Sequence, residues 1–593
     1  MRNRRRFVPA LLALLLLALA GCAPEGSGPT CTVVFEDDPD LFFYRQVYEV
    51  PRGGDVEVEV GVPAGERITS VNFDRYTVSA RTGTSKSYDY YTLILHEVRY
   101  PALIRLTTAP ARSLTYHAGG GTGESITAQD SGVHLRSNTL PWRGQFSRPG
   151  YVPIGWNTAP DGAGTHIGFG SRADHGGGDH LNLYVEWLPC APEEDFSYTI
   201  TEGGAVITGY TGPSGDLVLP EKLGGAPVTA IAAGAFGDVA AETVVLPPAL
   251  EAVEPGAFRS LTAEHLYLFD NLSSVGEDSF GAYQVTRLHL NAVRDPVYSG
   301  SYFDTFPDKA DYLYSLRDED KLILFCGSSA RFGYDSPMLE AAFPDFKVVN
   351  MGVYAYSNMR PQAEIVLQYA KAGDILLSSP ELDAIDMQFC GETALDRELF
   401  CLTESNFDLL SLLDCRGYTG IFAAFSAFQT ARADMEPRSY GDSPSFYDED
   451  GVRQAQATYN AYGDYILYRE NNLSGENFGI KRAFYNAAHI RPRDWDGLNE
   501  VYDAFSAKGV EVYFTYSPRS RTSLSPDSTP EAIAELDALL RAQLHAPVIS
   551  DIADSLMDPL YFYATDNHLS TEGVQIHTAQ VIEDLRRARE GET

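Results

Sequence analysis

The sequence predicts a multidomain chain, β-rich in its first part and α/β with a parallel sheet in its last. Three observations carry this. Residues 31–190 alternate apolar and polar side chains in short runs broken by glycine-rich turns, as in Val56-Glu57-Val58-Glu59-Val60. That is the pattern of half-buried strands. Over residues 196–297 a motif returns every 22 residues, with Phe236, Phe258 and Phe280 in one phase and Leu246, Leu268 and Leu290 in another. From residue 302 onward, short continuous apolar runs alternate with helical patterns, which predicts strands buried on both faces between helices. A chain of 593 residues is also longer than one core supports.

Taken in order, the chain opens with Arg2, Arg4, Arg5 and Arg6, an apolar run over 7–20, and Gly21-Cys22. A basic flank and a short apolar core describe an export signal, too short to span a membrane. Leu19-Ala20-Gly21-Cys22 resembles the lipobox of bacterial lipoproteins. The resemblance implies loss of residues 1–21, lipidation of Cys22, and an extracytoplasmic protein held to the cell membrane by lipid. Residues 22–30, rich in Gly and Pro, would form a stalk. The formal charge of −36 excludes the basic footprint that nucleic-acid binding needs.

The second part of the 31–190 region carries Tyr116-His117-Ala118-Gly119-Gly120, Phe146-Ser147-Arg148-Pro149-Gly150-Tyr151, Gly155-Trp156-Asn157-Thr158 and Leu183-Tyr184-Val185-Glu186-Trp187. These resemble the Listeria–Bacteroides repeat, a β-grasp-like module of bacterial surface proteins, and imply a spacer or interaction module. Asp174-His175 and Asp179-His180 flank three glycines and read as a polar loop tip rather than metal ligands; no cofactor is expected. The 22-residue motif, Val253-Glu254-Pro255-Gly256-Ala257-Phe258 in one period, resembles the BspA-like leucine-rich repeats. It implies a short solenoid, either a binding face for a protein partner or a rigid riser. Cys31 and Cys190 bracket the β-rich region and could pair. One pair among Cys390, Cys401 and Cys415 is open, and Cys326 reads as a buried free thiol.

In the last domain, 302–593, strands are expected at 322–326, 347–349, 374–377, 510–516 and 547–549. Helices are expected over 359–372, 494–508, 528–543 and 571–589. Residues 381–493 interrupt this alternation as an insertion, whose Tyr440, Asp442, Phe446 and Tyr447 suit a lid. The first strand stops at Gly327-Ser328-Ser329. A serine on such a turn sits at the carboxyl edge of the sheet, where open α/β folds place their sites, and acts as a nucleophile if a base reaches it. His568, in the loop before the last helix and beside Asp566, opens on the same edge.

Gly327-Ser328-Ser329, Asn350-Met351-Gly352 and Asp566-Asn567-His568 together resemble the SGNH (GDSL-like) hydrolase superfamily. The resemblance covers the last domain and implies an α/β/α sandwich on a five-stranded parallel sheet. It also implies Ser329 as nucleophile, His568 as general base, Asp566 as the acid that orients it, and the N–H groups of Ser329 and Gly352 as oxyanion donors. Two positions depart from the family. Thr565 stands where the acid is often found, three before the histidine, and Ser378-Ser379-Pro380-Glu381 replaces the asparagine that supplies a third oxyanion donor. Arg519, after the fourth strand, reads as a surface arginine. The implied activity is hydrolysis or transfer of an ester-linked acyl group, an O-acetyl group above all, on a glycan or cell-wall polymer. The alternative is a non-enzymatic adhesin or glycan-binding lipoprotein with a degenerate last domain.

Overall fold

A computed structural model describes residues 30–73, 76–78, 82–130, 134–298, 303–389, 394–433, 435, 446–447, 453–454, 459–466, 468–475 and 483–591. The leader with Cys22, the stalk and Cys390 lie outside the described residues. So do Tyr440 and Asp442 of the expected lid, while Phe446–Tyr447 is a two-residue strand. The described chain is strand-rich with some helices and holds several sheets, parallel ones among them, as a multidomain α/β protein requires. It forms two compact units, one ending at Ala111 and the other running from Arg112 onward.

In the first unit Gly54–Pro63 pairs antiparallel with Tyr88–Val98. Val56, Val58, Val60 and Val62 share a core with Leu93 and Leu95, while Glu57 and Glu59 face solvent. The alternation seen in the sequence is therefore one buried face and one wet face.

The rest of the expected 31–190 region belongs to the larger unit. Ser113–His117 lies between Ile126–Gln129 and His180–Pro189, and Tyr151–Asn157 follows on the far side. Trp156 meets Phe169 edge-on at 5.0 Å. Phe269, from the 22-residue repeat, closes the same core. Fully buried Arg172 adds an ionic tie. Its Nη1 donates to Asp308 at 2.6 Å and Asp311 at 2.8 Å, both on helix α1 (Thr305–Ser315).

The repeat itself is built from β1 (Leu217–Val218), β2 (Phe236–Val245), β3 (Phe258–Phe269) and β4 (Ala282–Asn291), all parallel. Partners such as Phe236 and Phe258, or Ser260 and Ala282, are one sequence period apart. The register is thus set by the repeat, because a slip would take each phenylalanine off its neighbour. Phe236 stacks on Phe258 at 4.5 Å and Phe258 on Phe280 at 5.2 Å.

The site is carried by a second parallel sheet of β5 (Lys321–Phe325), β6 (Lys347–Asn350), β7 (Ile375–Ser378) and β8 (Glu511–Phe514), in the order β6-β5-β7-β8. All five β5 side chains are buried. Lys321 is tolerated there because its Nζ lies 3.0 Å from the buried carboxylate of Asp374. The expected fifth strand is reduced to a bridge. Phe514 N–H donates to Pro547 O, and Ile549 N–H returns to Phe514 O, both at 2.9 Å. A three-residue run that opens with proline, which has no N–H to give, adds no longer ladder. Two helices matter at the site: α2 (Ser328–Arg331) directly after β5, and, beyond the insertion's α3 (Ile421–Arg432), the last helix α4 (Thr571–Glu590).

The described first part of the insertion packs on the repeat. Phe422 of α3 stacks on Phe280 at 4.3 Å and extends the phenylalanine column by one rung. Buried Arg432 bridges Asp270 at 2.7 Å and Glu404 at 2.8 Å. A stacked repeat leaves its last apolar rung bare unless something covers it, and α3 covers it. Cys31, Cys190, Cys326, Cys401 and Cys415 are free thiols, so neither expected disulfide is present among the described residues. No helix among them is long and apolar enough to cross a membrane.

Removing either ring should open a cavity in one continuous column. Phe280→Ala and Phe422→Ala should each cost about 3–5 kcal/mol, read as a lower midpoint in chemical denaturation. A lid without a packing role would make Phe422→Ala nearly silent.

Candidate active site

Gly327 turns the chain out of β5. A Cβ there would lie 2.7 Å from Ala355 Cα and 2.8 Å from Glu381 Oε2, so only glycine lets these segments close. Ser328 follows and is half-buried; Ser329, next in line, is 1% exposed. The opposing loop is pinched shut by a bridge between Phe562 and Leu569. Inside it, Tyr563 N–H donates to His568 O at 2.9 Å, and His568 N–H to Thr565 Oγ1 at 3.0 Å. Ala564 takes φ 55, a left-handed conformation that costs a residue with a Cβ free energy and persists where the surroundings impose it.

The structure pairs the histidine with a different serine from the one expected. His568 Nε2 lies 2.9 Å from Ser328 Oγ. Ser329 Oγ instead accepts from Asn567 Nδ2 at 3.2 Å. The reason is the helical start: successive residues of α2 point about 100° apart, so the imidazole meets the outer hydroxyl and the Asn567 amide the inner one.

Both expected oxyanion donors are already used. Ser329 N–H donates to Glu381 Oε1 at 2.8 Å, and Gly352 N–H to Asn350 Oδ1 at 2.9 Å. Glu381 stands on the segment where the asparagine was missed, and its second oxygen accepts from Gln388 Nε2 at 2.7 Å. Burial and the charge of Glu381 push the nearby Cys326 thiol well above its ordinary range.

Asp566 does not orient the histidine. Its Oδ2 accepts from Arg519 Nη1 at 2.9 Å, and Arg519 Nη2 also donates to Asp383. Arg519 is 1% exposed, a buried strut and not the surface arginine expected. Among the described residues no hydrogen bond reaches His568 Nδ1. The His568 ring stacks instead on Phe332, centroids 4.2 Å apart.

Burial, followed by the charges of Arg331, Arg469 and Arg519, pushes His568 down to about 3. The imidazole is therefore neutral at neutral pH, able to accept a proton but weakly basic. Elsewhere, His175 Nε2 lies 2.8 Å from Ser137 Oγ and His180 Nδ1 2.8 Å from Ser113 Oγ. Among the described residues no three His, Cys, Asp or Glu side chains are grouped as metal ligands.

Sequence reasoning missed Ser328, Glu381 and Arg469. No local signal separates Ser328 from Ser329, since only the approach of the loop distinguishes them. Glu381 had a signal, a carboxylate in place of a family asparagine. Arg469 had none. The chain matches no family model, and no curated protein is significantly similar to it.

Two tests follow from this geometry. Because Asp566 serves Arg519, Asp566→Asn should lower the thermal midpoint while changing ester turnover less than about tenfold. An orienting aspartate would cost about 10⁴-fold. The histidine gives a pH signature. The unfolded chain binds a proton near pH 6.5 that folded His568 refuses until about 3, so stability is whole above pH 6.5 and falls as pH drops towards 3. Denaturation midpoints measured at pH 7 and pH 5 should differ less in His568→Gln than in the parent.

Proposed function

We propose that the chain is a lipid-anchored extracytoplasmic protein whose last domain is a SGNH-type serine ester hydrolase or acyltransferase. Its substrate would be an acylated, above all O-acetylated, glycan or cell-wall polymer. In this reading the lipid on Cys22 holds it to the cell membrane, and the β-grasp-like module and leucine-rich repeats carry the domain away from the surface. The parallel sheet order and the three motifs at its carboxyl edge support the family reading.

The observation that carries the activity is the 2.9 Å contact between His568 Nε2 and the half-buried Ser328 Oγ. In the reaction, Ser328 Oγ attacks the ester carbonyl while His568 Nε2 takes its proton. The tetrahedral oxyanion collapses, expelling the alcohol, which receives that proton from His568. Water or a glycan hydroxyl then attacks the acyl-serine and regenerates Ser328. The amide of Asn567, one residue from the base, has a second N–H to offer the oxyanion once the first is spent on Ser329.

A second reading, a non-enzymatic adhesin or glycan-binding protein, has its own observation. The N–H groups of Ser329 and Gly352 are both occupied from within the protein, and losing one oxyanion donor costs about 2.7–4 kcal/mol of transition-state stabilisation. Turnover of an aryl acetate decides between the two. Ser328→Ala and His568→Ala should each lose roughly a thousandfold or more, while Ser329→Ala should lose far less. Loss confined to Ser329→Ala would return the nucleophile to the family position. Turnover unchanged in all three variants would remove the esterase assignment.

A further inference from the structure

Arg469 is the charged side chain near the dyad whose position the proposed reaction leaves unexplained. It is 4% exposed and packs its guanidinium over Phe332 at 5.3 Å and Tyr465 at 5.1 Å. Phe332 is the ring on which His568 also stacks. The backbone of Arg469 is tied to the start of α4: its N–H donates to Thr571 Oγ1 at 2.9 Å, and Thr571 N–H returns to Arg469 O at 3.1 Å. The arginine is thus fixed against the segment that holds the histidine.

Its charge is not matched. Among the described residues the guanidinium makes one long hydrogen bond, Nη1 to Tyr465 O at 3.3 Å. Its Nε is buried without a partner, and among the described residues no carboxylate lies within ion-pairing distance. The nearest buried acid by charge, Asp464, is committed elsewhere. One oxygen accepts from Ser336 Oγ and Asn350 Nδ2, the other from Ser336 N–H and Asn460 Nδ2, all within 2.7–3.0 Å. A buried guanidinium without a counter-charge costs several kcal/mol, and its rigid fork fits a carboxylate or phosphate. Its neighbour Arg331 adds positive charge and supplies no anion.

We infer that Arg469 receives an oxyanion of the substrate, so that the ester presented to Ser328 belongs to an anionic unit such as a uronate or a sugar or polyol phosphate. This rests on the esterase reading for the word substrate, and on Arg469 alone for the anion. Arg469 and His568 share one aromatic ring, so ester and anion can lie on one sugar residue or on two adjoining ones. Such an anion would also offset the field that burial and three arginines impose on His568, strengthening the base when the correct substrate is bound.

The full chain in detergent should be compared on O-acetylated methyl glucuronoside, the neutral O-acetylated methyl glucoside, and acetylglycerol phosphate. A charge-assisted contact predicts kcat/KM at least about tenfold higher for an anionic ester than for the neutral one. The better of the two anionic esters separates carboxylate from phosphate. Arg469→Gln should abolish the preference, and Arg469→Lys, which keeps charge and stem but loses the fork, should retain part of it. Equal kcat/KM for all three esters, or a preference that survives Arg469→Gln, would overturn the inference. If no ester turns over, the esterase reading fails and the anion site is still tested by thermal shift of Ser328→Ala. Stabilisation by glucuronate or glycerol phosphate but not glucose, absent when Arg469→Gln is added, upholds the site. No anion-specific shift rejects it.

Discussion

The fork of Arg519 is the contact on which the candidate site depends. Its guanidinium lies buried between Asp566 of the histidine loop and Asp383 beyond β7. Burial works against that charge, yet the two carboxylates more than offset it and hold the proton more tightly than in an ordinary arginine. Ser520 N–H donates to Asp566 O at 2.8 Å, so backbone and side chain fasten the same point. A buried ion pair adds little net stability but is costly to break from one side. That asymmetry makes the fork a means of positioning. It fastens the loop that carries His568, and an amide at residue 566 would keep an acceptor for Arg519.

A second buried charge acts on the same choice. Glu381 occupies the N–H of Ser329 and sits where an oxyanion built on Ser329 would have to form. Negative charge beside a developing oxyanion raises the barrier, just as aligned donors lower it. The carboxylate and the half-buried position of Ser328 therefore act in one direction, leaving Ser328 as the hydroxyl beside the imidazole. A positive environment results on the histidine side, where the charges of Arg331 and Arg469 act on the imidazole.

The remainder of the larger unit behaves as a support. The phenylalanine column, the capping helix α3 and the Arg432 ion cluster join the repeat to the insertion, and Arg172 ties the strands before the repeat to α1. Arg172 and Arg432 are each met by at least two carboxylates. The insertion thereby has a structural duty that its aromatic and acidic composition did not reveal.

By itself the sequence determined the elements and their periods. Alternating valines set the strands of the first unit, the 22-residue spacing set the parallel register of the repeat, and the apolar run over 322–326 set a strand buried on both faces. These are local consequences of which faces are apolar, and periodicity records them directly. It also brought the Gly327-Ser328-Ser329 turn and the His568 loop to one sheet edge. Tertiary structure alone decided the partners: Ser328 over Ser329, Arg519 over His568 for Asp566, and Phe280 for Phe422 of α3. It also left Arg469 without a counter-charge among the described residues. Such choices turn on ångström-scale approaches between segments up to 240 residues apart, and hydrogen bonds and ion pairs depend on distance and angle in a way that no one-dimensional pattern encodes.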